Sequence, residues 1–259
     1  MPLSIPTLVT GSAGRIGRAV VAELQRRGHQ VRGFDRVPAS VPSDHVTGDL
    51  TDRAALERAM QGIECLIHLA ATPDDVDDVL GQIVPDNIAG LFHVMEAARL
   101  AGVKRLVLAS SGQVNWGQQM RGEVPVRVTD PPSPKYWYAA SKMFLEAIGC
   151  GFAETHGISV IVARLGWCPR TLAQVEEIAA AEWAQDVYLS PGDAGRFFAC
   201  AVEAPPEVRH LVVYAASRPV HRERFDLSET AAWLGYEPEE RWPQGIEVID
   251  KAAVTRFGL

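Results

Sequence analysis

Short apolar runs alternate along this chain with longer segments in which apolar residues recur at helical spacing. The runs are rich in Val, Leu and Ile, as in parallel strands that are covered on both faces. They predict strands at Thr7–Thr10, Val31–Asp35, Cys65–Leu69, Arg105–Ala109, Ser159–Ala163 and Leu211–Tyr214, with a further strand just before the sequence GDLTD. The alternation predicts an α/β fold with a doubly wound parallel sheet, the Rossmann fold.

Helices are predicted in most of the gaps between these strands. The apolar spacing places them at Gly14–Arg27, Pro85–Ala98, Tyr138–Ala153, Ala173–Ala184 and Asp193–Val202, the last with Asp193 as its N-terminal cap. After Pro169 the pattern loosens into short helical pieces and turns. We therefore expect one domain over residues 1–259, in which residues 1–165 mainly bind a cofactor. Residues 166–259 would supply a small C-terminal substrate cap and the last strand.

Charge and composition narrow the range of functions. The net charge is −7 and the sequence has no Lys/Arg-rich block, which argues against binding to nucleic acid or to an anionic membrane. The four cysteines are scattered without a CxxC pair, so neither a structural metal site nor a disulfide framework is expected. The N-terminus lacks the features of a signal peptide, and no apolar run approaches membrane-spanning length. We expect a cytoplasmic protein that acts on a small molecule.

A glycine-rich loop follows the first strand in the sequence LVTGSAGRIGRAV. Glycines at such a strand-to-helix turn let backbone N–H groups and the positive helix end approach a pyrophosphate, because no Cβ intervenes. The GxxGxxG spacing differs from the GxGxxG fingerprint, and tight packing alone could also explain the glycines. The candidate cofactor-binding residues of this loop are Gly11, Ala13, Gly14, Arg15, Ile16 and Gly17.

An acidic residue ends the second strand, where a carboxylate can accept hydrogen bonds from an adenosine ribose. This residue, Asp35, would repel a 2′-phosphate and therefore favours NAD over NADP, although Arg36 and Arg15 weaken that preference. His68 is predicted to pack at the edge of the core rather than to act as a base. The other candidate cofactor residues are Arg36, Asp49 and Leu50 near the adenine, and Leu69, Ala70 and Ala71 at the end of the fourth strand.

The segment YAASK places Tyr138 and Lys142 four residues apart, on one face of a predicted helix. A nearby ammonium favours a phenolate, so we expect Lys142 to lower the pKa of Tyr138. The sequence LVLASSGQV adds Ser110 and Ser111 at the end of the fifth strand. YxxxK alone recurs by chance, but together with a dinucleotide loop and a serine pair it predicts a proton-transfer site.

These motifs and their order resemble the short-chain dehydrogenase/reductase superfamily, and in particular its extended branch, the NAD-dependent epimerase/dehydratase family. The resemblance covers about the first two thirds of the chain. It implies that Tyr138 is the catalytic acid/base, that Lys142 orients the cofactor ribose, and that Ser111 rather than Ser110 binds the reacting oxygen. It also implies that Asn87 braces the central helix, although a polar residue early in a helix is an equally ordinary interpretation. Asn87, Tyr138 and Lys142 complete the set of candidate cofactor-binding residues.

Within this superfamily the chain is most similar to the uronate dehydrogenase family, through segments such as HLAATP, YAASKMFLE and ARLGWCP. That resemblance implies NAD-dependent oxidation of C1 of a sugar acid to a lactone. The chain departs from the family after the second serine, where Gly112 and Gln113 replace Asn and His. Trp167 replaces a small residue, and Arg170 is the nearest candidate for binding a substrate carboxylate. The candidate substrate residues are Thr72, Gly112, Gln113, Trp167 and Arg170.

Two other functions stay open: a sugar epimerase of the same superfamily and a catalytically silent NAD(P)-binding sensor. An epimerase is less favoured because only about 117 residues follow Lys142. A sensor is less favoured because the Ser, Tyr and Lys are all present.

The acidic run PDDVDD is interpreted as a solvated loop or an acidic helix start rather than a cation site. Trp116, Trp167 and Trp183 could line a sugar pocket or belong to the core. Tyr136 is predicted to line the pocket or to pack. A homodimer is expected through a stripe formed by Leu91, Val94, Met95 and Ala98, packed with the Tyr138 helix.

Overall fold

Seven parallel strands form a single sheet in the computed structural model, which describes residues 4–39 and 41–246. The strands are β1 (Thr7–Thr10), β2 (Val31–Asp35), β3 (Asp44–Thr47), β4 (Cys65–His68), β5 (Arg105–Ser111), β6 (Ser159–Leu165) and β7 (His210–Ala215). Their order is β3-β2-β1-β4-β5-β6-β7, and every neighbouring pair is parallel. The predicted doubly wound α/β class is confirmed.

The strand order reverses beside β1, which pairs with β2 on one side and with β4 on the other. Because all the strands are parallel, their carboxyl ends lie at one edge of the sheet. Thr10, Asp35, His68 and Ser111 are the last residues of four of these strands. Ligands in open α/β sheets bind outside the carboxyl ends at such a reversal point, so this edge is the expected location of the site.

Helices cover both faces of the sheet. They are α1 (Arg15–Arg26), α2 (Arg53–Met60), α3 (Leu91–Leu100), α4 (Trp116–Arg121), α5 (Trp137–His156), α6 (Leu172–Ala179), α7 (Glu182–Asp186), α8 (Pro191–Val202) and α9 (Ser228–Leu234). A π-helical segment, Val79–Gly90, precedes α3, and a 3₁₀ turn, Gly112–Asn115, precedes α4. One core cluster lies between the sheet and α1 and α8, and a second lies under α2, α3 and α5.

Two predicted helices differ from the structure. The helix expected over Ala173–Ala184 is broken, because Ala181 adopts an extended conformation between α6 and α7. The break lets residues of both helices enter one small cluster with Tyr188. Helix α8 begins at Pro191, and its cap is Ser190, whose Oγ accepts the N–H of Asp193 at 2.9 Å. Asp193 is therefore not the cap; it lies in the first turn, and its carboxylate binds Arg196 and Ser217.

The part of the chain after β6 adds two small apolar clusters to the molecule. One joins α6 and α7 to Tyr188, Trp242 and Ile246, and the other packs Phe225 on Tyr214. The division of the chain at residue 165 into a cofactor-binding part and a substrate cap stays a prediction. Residues 247–259, at the end of the predicted cap, lie outside the described residues. Within the described ranges, the helices are all too short or too polar to cross a membrane.

The stripe predicted to form a dimer interface is buried inside the protein's own core. Leu91, Val94, Met95 and Ala98 face the sheet and are at most 1% exposed, so the prediction of this surface is wrong. Other apolar side chains lie on the outer surface of the same helix layer. Phe92 of α3 is 61% exposed and Phe144 of α5 is 39% exposed. The homodimer stays a prediction, and these residues are the better candidates for its interface.

We expect Phe92→Asp to reduce dimerisation, because a carboxylate would have to be desolvated in an apolar interface. Light scattering coupled to gel filtration measures the mass over a range of concentrations. Trp233→Asp, which changes an exposed aromatic residue on α9, is the matched control. A wild-type chain that is monomeric at every concentration would contradict the prediction.

Candidate active site

A cavity of about 850 Å³ opens at the carboxyl edge of the sheet. It is bounded by the glycine loop, the ends of β2, β4, β5 and β6, the start of α5 and residues that follow β6. Most of the predicted site residues line it. They are Gly11, Ala13, Gly14, Arg15, Ile16, Gly17, Asp35, Arg36, Leu69, Ala70, Ala71, Thr72, Ser111, Gly112, Gln113, Tyr138, Lys142, Trp167 and Arg170.

The glycine loop is shaped by close backbone contacts. Gly11 has φ +72°, and a Cβ there would lie 2.8 Å from the Ala70 nitrogen; a Cβ at Gly17 would lie 2.1 Å from the Gly11 carbonyl oxygen. Gly14 is the N-cap residue of α1. Within the part of the chain that the structure describes, no side chain hydrogen-bonds to this helix end, and no acidic residue lies in the first turn. The first N–H groups of α1 are thus left for an anion, as a bound pyrophosphate requires.

Charged side chains flank this loop. Asp35 accepts the Ala13 N–H on Oδ2 at 3.0 Å and the Val37 N–H on Oδ1 at 3.1 Å. The Nε and Nη2 atoms of Arg15 are buried and have no hydrogen-bond partner within the described chain. A guanidinium with two unsatisfied nitrogens beside a free helix end fits a phosphate, and a carboxylate at the end of β2 fits a ribose diol. The residues present therefore fit a dinucleotide such as NAD.

Three predicted cofactor residues do not line the cavity. Because β3 ends at Thr47, Asp49 and Leu50 lie in the turn before α2. Asp49 Oδ1 accepts the N–H and the hydroxyl of Thr51, and Leu50 is buried in the core. The third residue, Asn87, lies behind the cavity wall.

Asn87 joins the loop after β4 to helix α5. Its Oδ1 accepts the Thr72 N–H at 2.8 Å, and its Nδ2 donates to the Thr72 carbonyl at 3.1 Å and to Ser141 Oγ at 3.0 Å. A residue with these three bonds holds α5 against the sheet edge. The contacts support the bracing role, while a direct role in cofactor binding stays a prediction.

The serine, tyrosine and lysine lie together in the cavity. Ser111 lies beside Tyr138 and acts to lower its pKa, and Lys142 Nζ lies 5.5 Å from the centre of the Tyr138 ring. Lys142 Nζ donates to the Ala109 carbonyl at 3.0 Å. The neighbouring Ser110 is committed elsewhere, because its Oγ donates to Glu146 at 2.5 Å. This supports Ser111, rather than Ser110, as the serine that meets a substrate.

A buried ion pair holds Ser110 in this position. Glu146 binds Arg164 through both of its oxygens, at 3.0 and 2.8 Å. Arg164 also donates to Asn115, whose side-chain oxygen accepts from Tyr214. The network fixes the end of β5, and sequence reasoning missed it because its members lie far apart along the chain.

Burial dominates the electrostatics of the tyrosine and the lysine. It raises the pKa of Tyr138 to about 12, against smaller lowering effects of Arg170 and Ser111. Burial lowers the pKa of Lys142 to about 8. The expectation that Lys142 lowers the pKa of Tyr138 is therefore not met in this structure. The Lys142 ammonium lies over the Tyr138 ring and donates to the Ala109 carbonyl, while Ser111 lies beside the Tyr138 phenol.

His68 is not available as a base. It is 3% exposed, its Nδ1 shares a hydrogen bond of 2.8 Å with Thr10 Oγ1, and burial lowers its pKa to about 3. The side chain is neutral at physiological pH and packs at the core edge, as predicted from the sequence.

One member of the acidic run after β4, Asp74, lines the cavity, and Asp75 beside it contacts the residues around Tyr138. Asp75 accepts the Tyr138 N–H at 3.1 Å, and its other oxygen lies 3.5 Å from Lys135 Nζ. Asp74 Oδ2 lies 3.3 Å from Arg170 Nη2. Asp74 and Asp75 are thus engaged at the cavity rather than free in solvent, because the loop crosses the carboxyl edge directly after β4. Their position a few residues after HLAA was the signal that could have located them. The alternative interpretation, an acidic helix start, is met by Asp78, which caps the π-helical segment.

Aromatic side chains form the opposite wall. Trp183 makes an edge-on contact with Trp116 at 5.3 Å and stacks on Trp167 at 6.2 Å, measured between ring centres. Phe225, which was not predicted, lies so close to Gly112 that a Cβ there would be 2.6 Å from its ring. Tyr136 does not belong to this wall: it is 60% exposed and contacts Trp137, because it directly precedes α5.

Comparisons with known proteins show the family to which this chain belongs. The model described as the NAD dependent epimerase/dehydratase family matches residues 7–167. The L-arabinose 1-dehydrogenase (NAD(P)(+)) of Haloferax volcanii is 35% identical over 92% of this chain and 98% of its own length. The uronate dehydrogenase of Pseudomonas putida is 29% identical over 90% of this chain and 83% of its own length.

A solved structure with a similar fold is the glucuronic acid dehydrogenase from Chromohalobacter salexigens. It has a TM-score of 0.77 and 27% identity, with coverage of 96% of this chain and 90% of that chain. The chain belongs to the NAD-dependent epimerase/dehydratase family. The predicted enzyme class, an NAD-dependent dehydrogenase, and the predicted cofactor are confirmed.

We expect the Lys142→Met variant to have a higher free energy of unfolding than wild type at pH 7 but not at pH 10. In the folded chain the pKa of Lys142 is about 8, below its ordinary value of 10.5, so wild-type stability rises as pH increases through 8. The difference in free energy of unfolding between the two proteins should change by about 2 kcal/mol between these pH values.

Urea unfolding at both pH values measures this difference. Lys104→Met, which removes an exposed lysine, is the control for the loss of a lysine that is not buried. An equal stability difference at pH 7 and pH 10 would show that Lys142 is not held in a desolvating environment.

Proposed function

We propose that the protein oxidises the C1 hydroxyl of a small free sugar or sugar acid to a lactone, with NAD as the hydride acceptor. The observation that carries the proposal is the meeting of Ser111, Tyr138 and Lys142 in the cavity that also contains the glycine loop and Asp35. The names of the relatives, an arabinose 1-dehydrogenase and a uronate dehydrogenase, support a sugar substrate.

Each of the three side chains has a distinct role in this reaction. Ser111 donates a hydrogen bond that holds the substrate oxygen next to Tyr138. Tyr138 removes the proton of the C1 hydroxyl while the C1–H bond breaks and the C=O bond forms. Lys142 contributes a fixed positive charge beside the ring. When bound, NAD accepts the hydride, and its oxidised nicotinamide adds a further positive charge to the site.

The raised pKa of Tyr138 fits this scheme. A phenol with a pKa of about 12 stays neutral in the free chain. Positive charge brought into the cavity favours release of its proton to solvent, and the phenolate that is left can then accept the proton of the substrate hydroxyl. The aromatic wall of Trp116, Trp167 and Trp183 supplies flat apolar surfaces of the kind that pack against a sugar ring.

Tyr138→Phe should lower kcat by roughly 10²–10⁴-fold and leave NAD affinity nearly unchanged, because only the proton acceptor is lost. Absorbance of NADH reports turnover, and titration calorimetry reports NAD binding. Tyr136→Phe, at the exposed tyrosine two residues earlier, should behave as wild type. Turnover that survives in Tyr138→Phe would disprove the assigned role.

A panel of aldopentoses, aldohexoses, their uronic acids and simple alcohols tests the substrate class. We expect NAD reduction with a free sugar or sugar acid, and a product that reacts with hydroxylamine as a lactone does. Sugars blocked at C1 as methyl glycosides should be inert, because the reacting hydroxyl is absent. Oxidation of the methyl glycosides would place the reaction at another carbon.

A further inference from the structure

The substrate part of the cavity contains an ion pair that the proposed reaction does not use. Arg170 Nη2 lies 3.3 Å from Asp74 Oδ2 and donates to the Pro73 carbonyl at 3.1 Å. Both charged residues line the cavity, with side chains that are 37% and 39% exposed. Each therefore remains accessible to a ligand that enters.

The backbone at Asp74 shows that this carboxylate is held in place. Asp74 has φ 101°, and among the described residues it is the one non-glycine with a positive φ. Such a conformation persists only where the surrounding contacts impose it. Asp75 supplies one of these contacts, through the Tyr138 N–H, and Asn87 supplies another, through both backbone groups of Thr72. The loop is thus anchored on both sides of Asp74.

Three cations that line the cavity around Tyr138 have partners in the structure. Lys135 faces Asp75, Lys142 donates to the Ala109 carbonyl, and Arg170 is bound by Asp74. Gln174 extends a further weak contact to Asp74, at 3.5 Å. A substrate carboxylate that entered here would have to share Arg170 with Asp74 and would be repelled by the Asp74 charge. A neutral sugar would meet neither cost.

We propose that Asp74 determines the charge of the substrate: by occupying Arg170, it makes the pocket favour a neutral aldose over a sugar acid. The inference rests on the proposed function and selects one substrate class within it. An arginine released from Asp74 could bind a carboxylate in a bidentate arrangement. Removal of the Asp74 charge should then open the pocket to uronic acids.

The test compares kcat/KM for an aldose and for its matching uronic acid in wild type and in Asp74→Asn. We expect wild type to prefer the aldose, and Asp74→Asn to raise the uronate-to-aldose ratio on the order of tenfold. Asp77→Asn, which makes the same charge change in the same acidic run outside the cavity, should leave the ratio unchanged. Asp74→Gly, which suits the positive φ, replaces Asp74→Asn if that variant does not fold.

A second substitution separates the charge effect from a loop effect. Arg170→Gln added to Asp74→Asn should abolish the gained activity on the uronic acid, because the cation that accepts its carboxylate is gone. The inference is overturned if wild type already prefers the uronic acid, or if Asp74→Asn leaves the ratio unchanged while aldose oxidation persists. If wild type oxidises neither sugar, the proposed function itself fails, and the inference fails with it.

Discussion

The parallel pairing of the seven strands is the constraint on which the site depends. Because every strand runs in the same direction, the residues that end β1, β2, β4 and β5 are brought to one edge of the sheet. Residues from positions 11 to 225 thus line a single cavity. Buried backbone groups in such a sheet must be paired, so the register of each strand also fixes where its terminal side chain lies. The site residues are therefore brought together by where the strands end, and not by any one sequence motif.

Desolvation acts on both members of the tyrosine–lysine pair. It disfavours the phenolate of Tyr138 and the ammonium of Lys142. This effect outweighs the attraction between phenolate and ammonium that was expected from their spacing of four residues on a helix. The free chain therefore holds Tyr138 as a neutral phenol. At the more exposed Asp74–Arg170 pair, the proposed effect is a different one, in which one charge changes what its neighbour can bind. In both pairs, the behaviour of each ionisable group depends on its neighbour and its surroundings, and not on the residue type alone.

Periodicity and motif order predicted the fold well, because buried parallel strands and amphipathic helices leave strong patterns in a sequence. The strands β1 and β2 lie where the apolar runs placed them. Two of the failures have a common cause, since they depend on which way a side chain faces. The stripe at Leu91 was taken as surface although it faces the sheet. Asp74 was taken as solvated because its partner, Arg170, lies 96 residues away in the sequence.

The carboxylate of Asp35 has two tasks that cannot be separated. Its oxygens hold the backbone of the glycine loop at Ala13 and of the following turn at Val37. The same group is the one expected to receive the nucleotide ribose. An asparagine would keep one acceptor oxygen, and a smaller neutral side chain would keep neither. Redesign of this position toward a phosphorylated ribose would therefore loosen the loop that every dinucleotide needs, unless a second substitution restores the lost acceptor.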